Sequence, residues 1–559
     1  MTVAHAAKTA ATPAPETAPM PVGDWIAHAL EEAGVEQAFG VISIHNMPIL
    51  DAFLRRGAIT FTPARGEAGA VNMADAATRV SGKPAVAVTS TGTGAGNGAG
   101  ALVEAMTAGT PMIHLTGQID SPYLDRGWGF IHEAPDQPGL LKGCSKAFFR
   151  ITRPEEAVPV MRRAIATALT APTGPVSVEI PIDVQKAIAA PSGSGGVHGV
   201  AAPERPDIAS LVEALSAARR PVLWLGGGAR GAAEAAGRLA DRGVAIVTSV
   251  QGRGTVDEQH AMSLGSFAAT PASEALYRDC DLMIVAGSHL RSNETRTYAL
   301  ALPRRRLRID IDPEAAERGY PSEALIVGDC ADVLARLADA LPAHWRADSG
   351  WAEAVAQART ANMNRLQAEA GPYAALAEAV GSAMPADGLW VRDITLSNSI
   401  WGNRLPPVDR PGRTVHAVGG GIGQGLQHAI GAGQATDRPV LALIGDGGFM
   451  LNPGELATAV ESGITLVILL MNDRGYGVIR NIQDAAYGGR RGYTDLLSPD
   501  FGALARAFGC AHQTVDALDG VAERIAAAIG RGGTTILEID MTAIGPFGVT
   551  FAGPPVGGK

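Results

Sequence analysis

Val440-Leu-Ala-Leu-Ile-Gly-Asp-Gly-Gly-Phe449 decides how this chain reads. Five apolar residues of buried-strand type stop abruptly at Gly445-Asp446-Gly447-Gly448, and in open α/β sheets ligands sit just beyond such strand ends. The glycines Gly445, Gly447 and Gly448 let backbone amides approach a phosphate, and Asp446 offers a hard oxygen ligand for Mg²⁺. After a helical stretch from Pro453 to Ser462, a second apolar run, Leu466-Val-Ile-Leu-Leu-Met471, ends in Asn472-Asp473-Arg474-Gly475-Tyr476. A strand, helix and strand passage returns Asp473 to the sheet edge that holds Asp446. A Gly-Asp-Gly triplet alone is only a turn signal. The pair of acidic strand ends makes it a candidate metal and diphosphate cradle, completed by one backbone carbonyl.

Outward from the cradle the chain alternates helical patterns with β-branched runs. The amino-terminal block carries Trp25-Ile-Ala-His-Ala-Leu30, Ala85-Val-Ala-Val-Thr89 and Pro175-Val-Ser-Val-Glu-Ile180, and a middle block carries Pro221-Val-Leu-Trp-Leu225, Ala245-Ile-Val-Thr-Ser249, Asp281 to Ala286 and Arg306 to Ile311. The expected fold is α/β: three consecutive domains with mainly parallel sheets, the middle one Rossmann-like. The expected boundaries are a disordered tail over 1–21, domains over 22–185, 207–342 and 371–559, a Ser/Gly/Pro-rich linker over 186–206, and a helical connector over 343–370. The 559 residues, 46% of them hydrophobic, supply several cores. A net charge of −10 with scattered Lys and Arg gives no field for nucleic acid. Four dispersed cysteines fit a reducing cytoplasm, and no apolar run approaches the roughly 18 residues of a membrane span.

The Gly445-Asp446-Gly447 to Asn472-Asp473 pattern resembles the thiamine diphosphate binding motif. Residues 22 to 540 are similar in order to the acetolactate synthase-like enzymes, within the superfamily of pyruvate decarboxylase and benzaldehyde lyase. The resemblance implies Mg²⁺ on Asp446, Asp473 and the carbonyl of Gly475, with the diphosphate on amides around Gly447 and Gly448 and with Tyr476 beside them. One departure stands out: the second side-chain ligand of the family is usually Asn, and here it is Asp473, unless Asn472 serves after a small loop shift. Ser397 and Asn398, small polar groups after a strand, suit the outer phosphate, although a helix N-cap would look similar. In Gly419-Gly-Gly421-Ile422-Gly423, Ile422 matches the apolar residue that bends the cofactor into a V.

Thiamine chemistry starts with loss of the C2 proton, driven through an aminopyrimidine whose ring nitrogen is hydrogen-bonded to a carboxyl group. Arg65-Gly66-Glu67-Ala68-Gly69, a strand end running into a helix, resembles the family's glutamate segment and places Glu67 in that role. In the family this acid reaches the cofactor across a subunit interface, which implies a homodimer or homotetramer. Ser90-Thr-Gly92-Thr-Gly94 resembles the loop that caps the aminopyrimidine. Gly226, Gly228 and Gly231 spell a dinucleotide fingerprint after a strand, yet Ala245-Ile-Val-Thr-Ser249 lacks the acidic residue such a site needs. FAD is therefore the weaker expectation, although Asp310 and Asp312 resemble the adenosine-side segment.

The choice of reaction depends on the substrate pocket. Pyruvate decarboxylase-like enzymes carry acids where this chain has Val41-Ile-Ser-Ile-His45-Asn46 and Ile479, which argues against simple aldehyde release. His45, Gln118, His132, Lys146, Ile479 and Ile482 resemble the lining of the acetolactate synthase-like pocket, with Ile482 where a tryptophan usually selects the acceptor. The expected function is a thiamine diphosphate and Mg²⁺ dependent decarboxylase and carboligase for small 2-oxo acids or aldehydes. Two alternatives remain, an acyloin C–C lyase and a noncatalytic cofactor-binding subunit. The second would be marked by loss of Glu67 or Asp446, and neither is lost.

Overall fold

A computed structural model describes residues 19–190 and 205–553. Most of the expected tail and linker lies outside these residues. Within them, Met20–Pro21 and Ile188–Ala189 pair as two short antiparallel strands.

Each of the three sequence blocks builds one sheet. The first is formed by β1 (Gln37–Gly40), β2 (Thr60–Pro63), β3 (Val86–Thr89), β4 (Ile113–Gln118), β5 (Ala147–Arg150) and β6 (Val176–Pro181), in the order β2-β1-β3-β4-β6-β5 and parallel throughout. The middle sheet contains β7 (Pro221–Leu225), β8 (Ala245–Thr248), β9 (Leu282–Ala286), β10 (Arg306–Asp310) and β11 (Ala324–Val327), also parallel, in the order β8-β7-β9-β10-β11. The third holds β12 (Leu389–Arg392), β13 (Thr414–His416), β14 (Val440–Gly445), β15 (Leu466–Asn472), β16 (Ala511–Val515) and β17 (Thr534–Asp540), in the order β13-β12-β14-β15-β17-β16. Its central strands β14 and β15 are buried along nearly their whole length, as their continuous apolar runs require. The expected connector helix spans Ser349–Ala370.

Six helices matter for the site: α1 (Glu67–Ser81), α2 (Thr93–Ala108), α3 (Ala157–Leu169), α4 (Gly425–Gln434), α5 (Glu455–Glu461) and α6 (Gly477–Ala486). By contacts the described residues fall into two compact units. One takes in the first block with Ala417–Val440 and Leu451–Leu466; the other takes in the middle block and the rest of the third. Helices α4 and α5 therefore belong with α1. Gly431 of α4 sits so close to α1 that a Cβ there would lie 2.1 Å from the Met73 carbonyl oxygen, and Asn72 donates to Gln427 across the same contact. Any larger residue at 431 would force the two helices apart.

Candidate active site

In the second unit, β14 ends at Gly445 and β15 at Asn472 as neighbours, so Asp446 and Asp473 emerge at one sheet edge. Asp446 is 2% exposed; its Oδ2 accepts from the Ser498 hydroxyl at 3.1 Å, while its Oδ1 has no partner. Burial raises the Asp446 carboxyl, and burial together with the negative charge of Asp446 pushes Asp473 up to about 7. Two carboxylates held this close repel each other until a cation lies between them.

The loop around the pair is built tightly. Gly475 has φ 155° and lies against the Thr494 carbonyl, 2.0 Å from where a Cβ would sit, so no other residue fits. A Cβ on Gly447 would meet the Tyr476 ring at 2.8 Å and the Gly475 carbonyl oxygen at 3.1 Å. The Arg480 guanidinium donates to the carbonyl oxygen of Asp473 at 3.2 Å and fastens the turn. Asn472 is committed elsewhere: its amide donates to Glu538 at 2.7 Å and its Oδ1 accepts from the Arg474 amide. That leaves Asp473 as the side chain free to join Asp446.

Beside this loop, Asp393 N donates to the Leu443 carbonyl, and Thr395 packs on Gly445. The following Ser397 and Asn398 are buried, and Ser397 Oγ and Asn398 Oδ1 are without partners. Asn398 opens a π-helical turn, Asn398–Gly402, of the kind that marks functional sites. Among the described residues no three His, Cys, Asp or Glu side chains converge as a metal group. Two carboxylates and one carbonyl, with the unpartnered Ser397 Oγ and Asn398 Oδ1 close in sequence to Thr395, nevertheless fit a Mg²⁺ that takes its remaining ligands from phosphate and water.

In the first unit, Glu67 is the first residue of α1. Asn97 donates to its Oε2 at 3.2 Å, and a Cβ on Gly94 would lie 3.0 Å from its Oε1. Gly92 caps α2 with φ 60°, and its amide donates to Gln137 at 2.6 Å. A Cβ there would strike the His132 carbonyl oxygen at 2.2 Å. His132 itself holds φ 68° and packs edge-on against His45, with ring centroids 5.2 Å apart. Burial and the neighbouring His132 lower the His45 pKa, and its Nδ1 is buried without a partner. In the same unit, Gly421 and Ile422 are exposed on the loop before α4, with Ile422 at 39%. The buried Glu104 carboxylate holds that loop by accepting from the Val418 and Gly419 amides.

Three models of one family cover most of the chain: "Thiamine pyrophosphate enzyme, N-terminal TPP binding domain" over 20–140, its central domain over 208–337 and its C-terminal TPP binding domain over 396–539. A Pseudomonas aeruginosa protein named "Probable 2-ketoarginine decarboxylase AruI" is 32% identical over 92% of this chain and 93% of its own length. The chain belongs to the thiamine pyrophosphate enzyme family. The Escherichia coli acetolactate synthase isozyme 2 large subunit is 28% identical, covering 92% of this chain and 95% of that one. An X-ray structure described as a thiamin diphosphate-dependent enzyme from Mycobacterium smegmatis matches with a TM-score of 0.77 at 24% identity, over 93% of this chain and 99% of that chain, and supports the fold.

This thiamine pyrophosphate enzyme thus binds thiamine diphosphate and makes or breaks C–C bonds, as an enzyme of the acetolactate synthase and decarboxylase type. Two of the residues expected in its pocket have protein partners of their own. Lys146 precedes β5, at the sheet edge opposite Glu67 and His45, and its ammonium caps α3 by donating to the Thr167 and Thr170 carbonyls. Gln118 is 5% exposed, and its amide oxygen accepts from Thr91 and from the Ile119 amide. It belongs to a buried network in which Gln137 links Thr91 to Glu179, itself paired with Arg150. In the second unit, Ile479 is 47% exposed on α6, and Ile482 packs under Gly553. Two of the dinucleotide-like glycines, Gly226 and Gly228, pack closely on Gly287: a Cβ on Gly226 would lie 2.0 Å from the Gly287 carbonyl oxygen. No described helix is long and apolar enough to cross a membrane.

Proposed function

We propose that this enzyme decarboxylates a small 2-oxo acid and joins the acyl unit to a carbonyl acceptor, with Mg²⁺ and as a homo-oligomer in which Glu67 serves a neighbouring subunit's cofactor. The observation that carries the metal and cofactor part is the buried Asp446 and Asp473 pair with its unpartnered Oδ1. The similarity to acetolactate synthases over nearly the whole chain supports the carboligase part. Bound thiamine diphosphate supplies the thiazolium carbon that adds to the substrate carbonyl and accepts the electrons of the breaking bond.

The chain's own residues divide the remaining work. Asp446, Asp473 and the Gly475 carbonyl hold Mg²⁺, while the Gly447 and Gly448 amides and the Ser397 and Asn398 side chains take phosphate oxygens. Glu67 would hydrogen-bond the aminopyrimidine nitrogen, the turn at Gly92 and Gly94 would cap that ring, and Ile422 would support the cofactor. His45, kept neutral by its surroundings, and His132 are placed to pass a proton. Ile479 and Ile482 line the acceptor side.

A second reading has a specific support. The relative named for 2-ketoarginine decarboxylation is 32% identical, against 28% for acetolactate synthase isozyme 2, which favours release of an aldehyde without joining. Incubation with pyruvate or 2-ketoarginine, with and without an added aldehyde, separates the readings by NMR of products and measurement of CO₂. Carboligation predicts CO₂ and a new 2-hydroxy ketone or 2-hydroxy acid that consumes the acceptor. Aldehyde as sole product supports the second reading. Cleavage of an added acyloin without CO₂ from any 2-oxo acid overturns both.

The unusual Asp473 makes a prediction of its own. Mg²⁺ must displace the proton that burial holds on Asp473 up to about pH 7. Apparent Mg²⁺ affinity is therefore expected to fall by up to about 10-fold for each pH unit below 7. Asp473→Asn should flatten that slope while still binding Mg²⁺. Titrations of Mg²⁺ between pH 5.5 and 8.5 check it; an unchanged slope in the variant removes Asp473 from the metal.

A further inference from the structure

We propose that Glu455 is a positioning residue for Glu67, holding the turn before α1 so that the activating acid is presented in one orientation. This rests on the reading of Glu67 given above. Helix α1 begins at Glu67 after Gly66, which has no side chain with which to cap it. The turn before it is held from α5, nearly four hundred residues along the chain: the 3% exposed Glu455 accepts at Oε1 from the Arg65 amide at 3.0 Å and from the Gly66 amide at 3.1 Å. Its Oε2 accepts from the Thr458 hydroxyl at 2.7 Å, so both oxygens are fixed.

The fit leaves little slack. A Cβ on Gly69 would lie 2.2 Å from Glu455 Oε1, so the carboxylate rests directly on the first turn of α1. The same helix holds the turn a second time, because Glu461 pairs with the Arg65 guanidinium at 2.5 Å. The two residues immediately before Glu67 are thereby tied to α5 through main chain and side chain. Glu67 itself has one side-chain hydrogen bond, from Asn97, so the direction of its carboxyl group depends on where its backbone is held. Misplacement of a catalytic group by about 1 Å costs on the order of 100-fold in rate.

The test compares Glu455→Ala, Glu455→Gln and Glu67→Gln in two measurements. Without cofactor, hydrogen exchange of the peptide spanning residues 62–70 reports the clamp itself: Glu455→Ala should expose the Arg65 and Gly66 amides to exchange at least about 10-fold faster, while Glu455→Gln, whose amide oxygen still accepts, protects them. With saturating Mg²⁺ and thiamine diphosphate, exchange of the C2 proton should slow by about 10- to 100-fold in Glu455→Ala and be largely restored in Glu455→Gln. Should Glu455→Ala not fold, Gly69→Ala, which pushes the carboxylate off the turn, is expected to show the same two changes. C2 exchange at the parent rate in Glu455→Ala, with Glu67→Gln inactive, overturns the positioning role alone. Parent-rate exchange in Glu67→Gln overturns the reading of Glu67 and this proposal with it. A Glu455→Gln variant as slow as Glu455→Ala also overturns it, because charge rather than the held turn would then be the cause.

Discussion

Asp446→Ala is expected to lose Mg²⁺-dependent binding of thiamine diphosphate by more than about 100-fold, the upper end of what losing a mere outer partner of a metal ligand costs. The expectation follows from how completely this side chain is committed. Asp446 is almost fully buried, one oxygen is held by Ser498, and the other has no hydrogen-bond partner. The neighbouring Asn472 cannot replace it, since its amide is bound to Glu538 and to the Arg474 amide. The protein should remain folded, because removing Asp446 also relieves its repulsion with Asp473. Calorimetric titration of Mg²⁺ and thiamine diphosphate, with circular dichroism to show the fold intact, measures the effect. Parent-like affinity would place the metal elsewhere.

Glu67→Gln is expected to bind the cofactor at close to parent affinity yet lose about 10²- to 10⁴-fold in turnover, the range for removing a general acid or base. The amide keeps the shape of the side chain and can still accept from Asn97, but it cannot exchange a proton with the aminopyrimidine nitrogen. The split between binding and turnover distinguishes this site from Asp446, where binding itself fails. Steady-state rates with a 2-oxo acid at saturating cofactor check it, and loss of cofactor binding equal to the loss of rate would assign Glu67 a merely structural role.

The features legible in the sequence were those fixed by strand periodicity. Val440–Gly445 and Leu466–Asn472 are long apolar runs that can only be central strands, and a central parallel strand must end at the carboxyl edge, so the meeting of Asp446 with Asp473 followed from the pattern. Gly66-Glu67 likewise announced a strand end turning into a helix. Short strands such as Gln37–Gly40 and Ala147–Arg150 were not legible, because neither carries a β-branched residue to separate it from loop.

Side-chain destinations were hidden for a different reason. Nothing local distinguishes a lysine that binds a carboxylate from Lys146, which spends its charge on the end of α3, or a free amide from Gln118, whose oxygen is used within its own strand end. The fingerprint glycines Gly226 and Gly228 looked like a nucleotide loop because close packing against Gly287 selects the same residue as close approach to a phosphate. Glu455 lies in the first turn of α5, where no motif singles it out. Its function depends on a contact with Arg65 and Gly66 that only the tertiary fold creates.

A crystal structure of the protein grown with Mg²⁺ and thiamine diphosphate tests the central claim most directly. The account predicts a metal bound by Asp446, Asp473 and the Gly475 carbonyl, with the diphosphate on the Gly447 and Gly448 amides. A fully occupied cofactor whose metal and diphosphate lie away from Asp446 and Asp473 would contradict it.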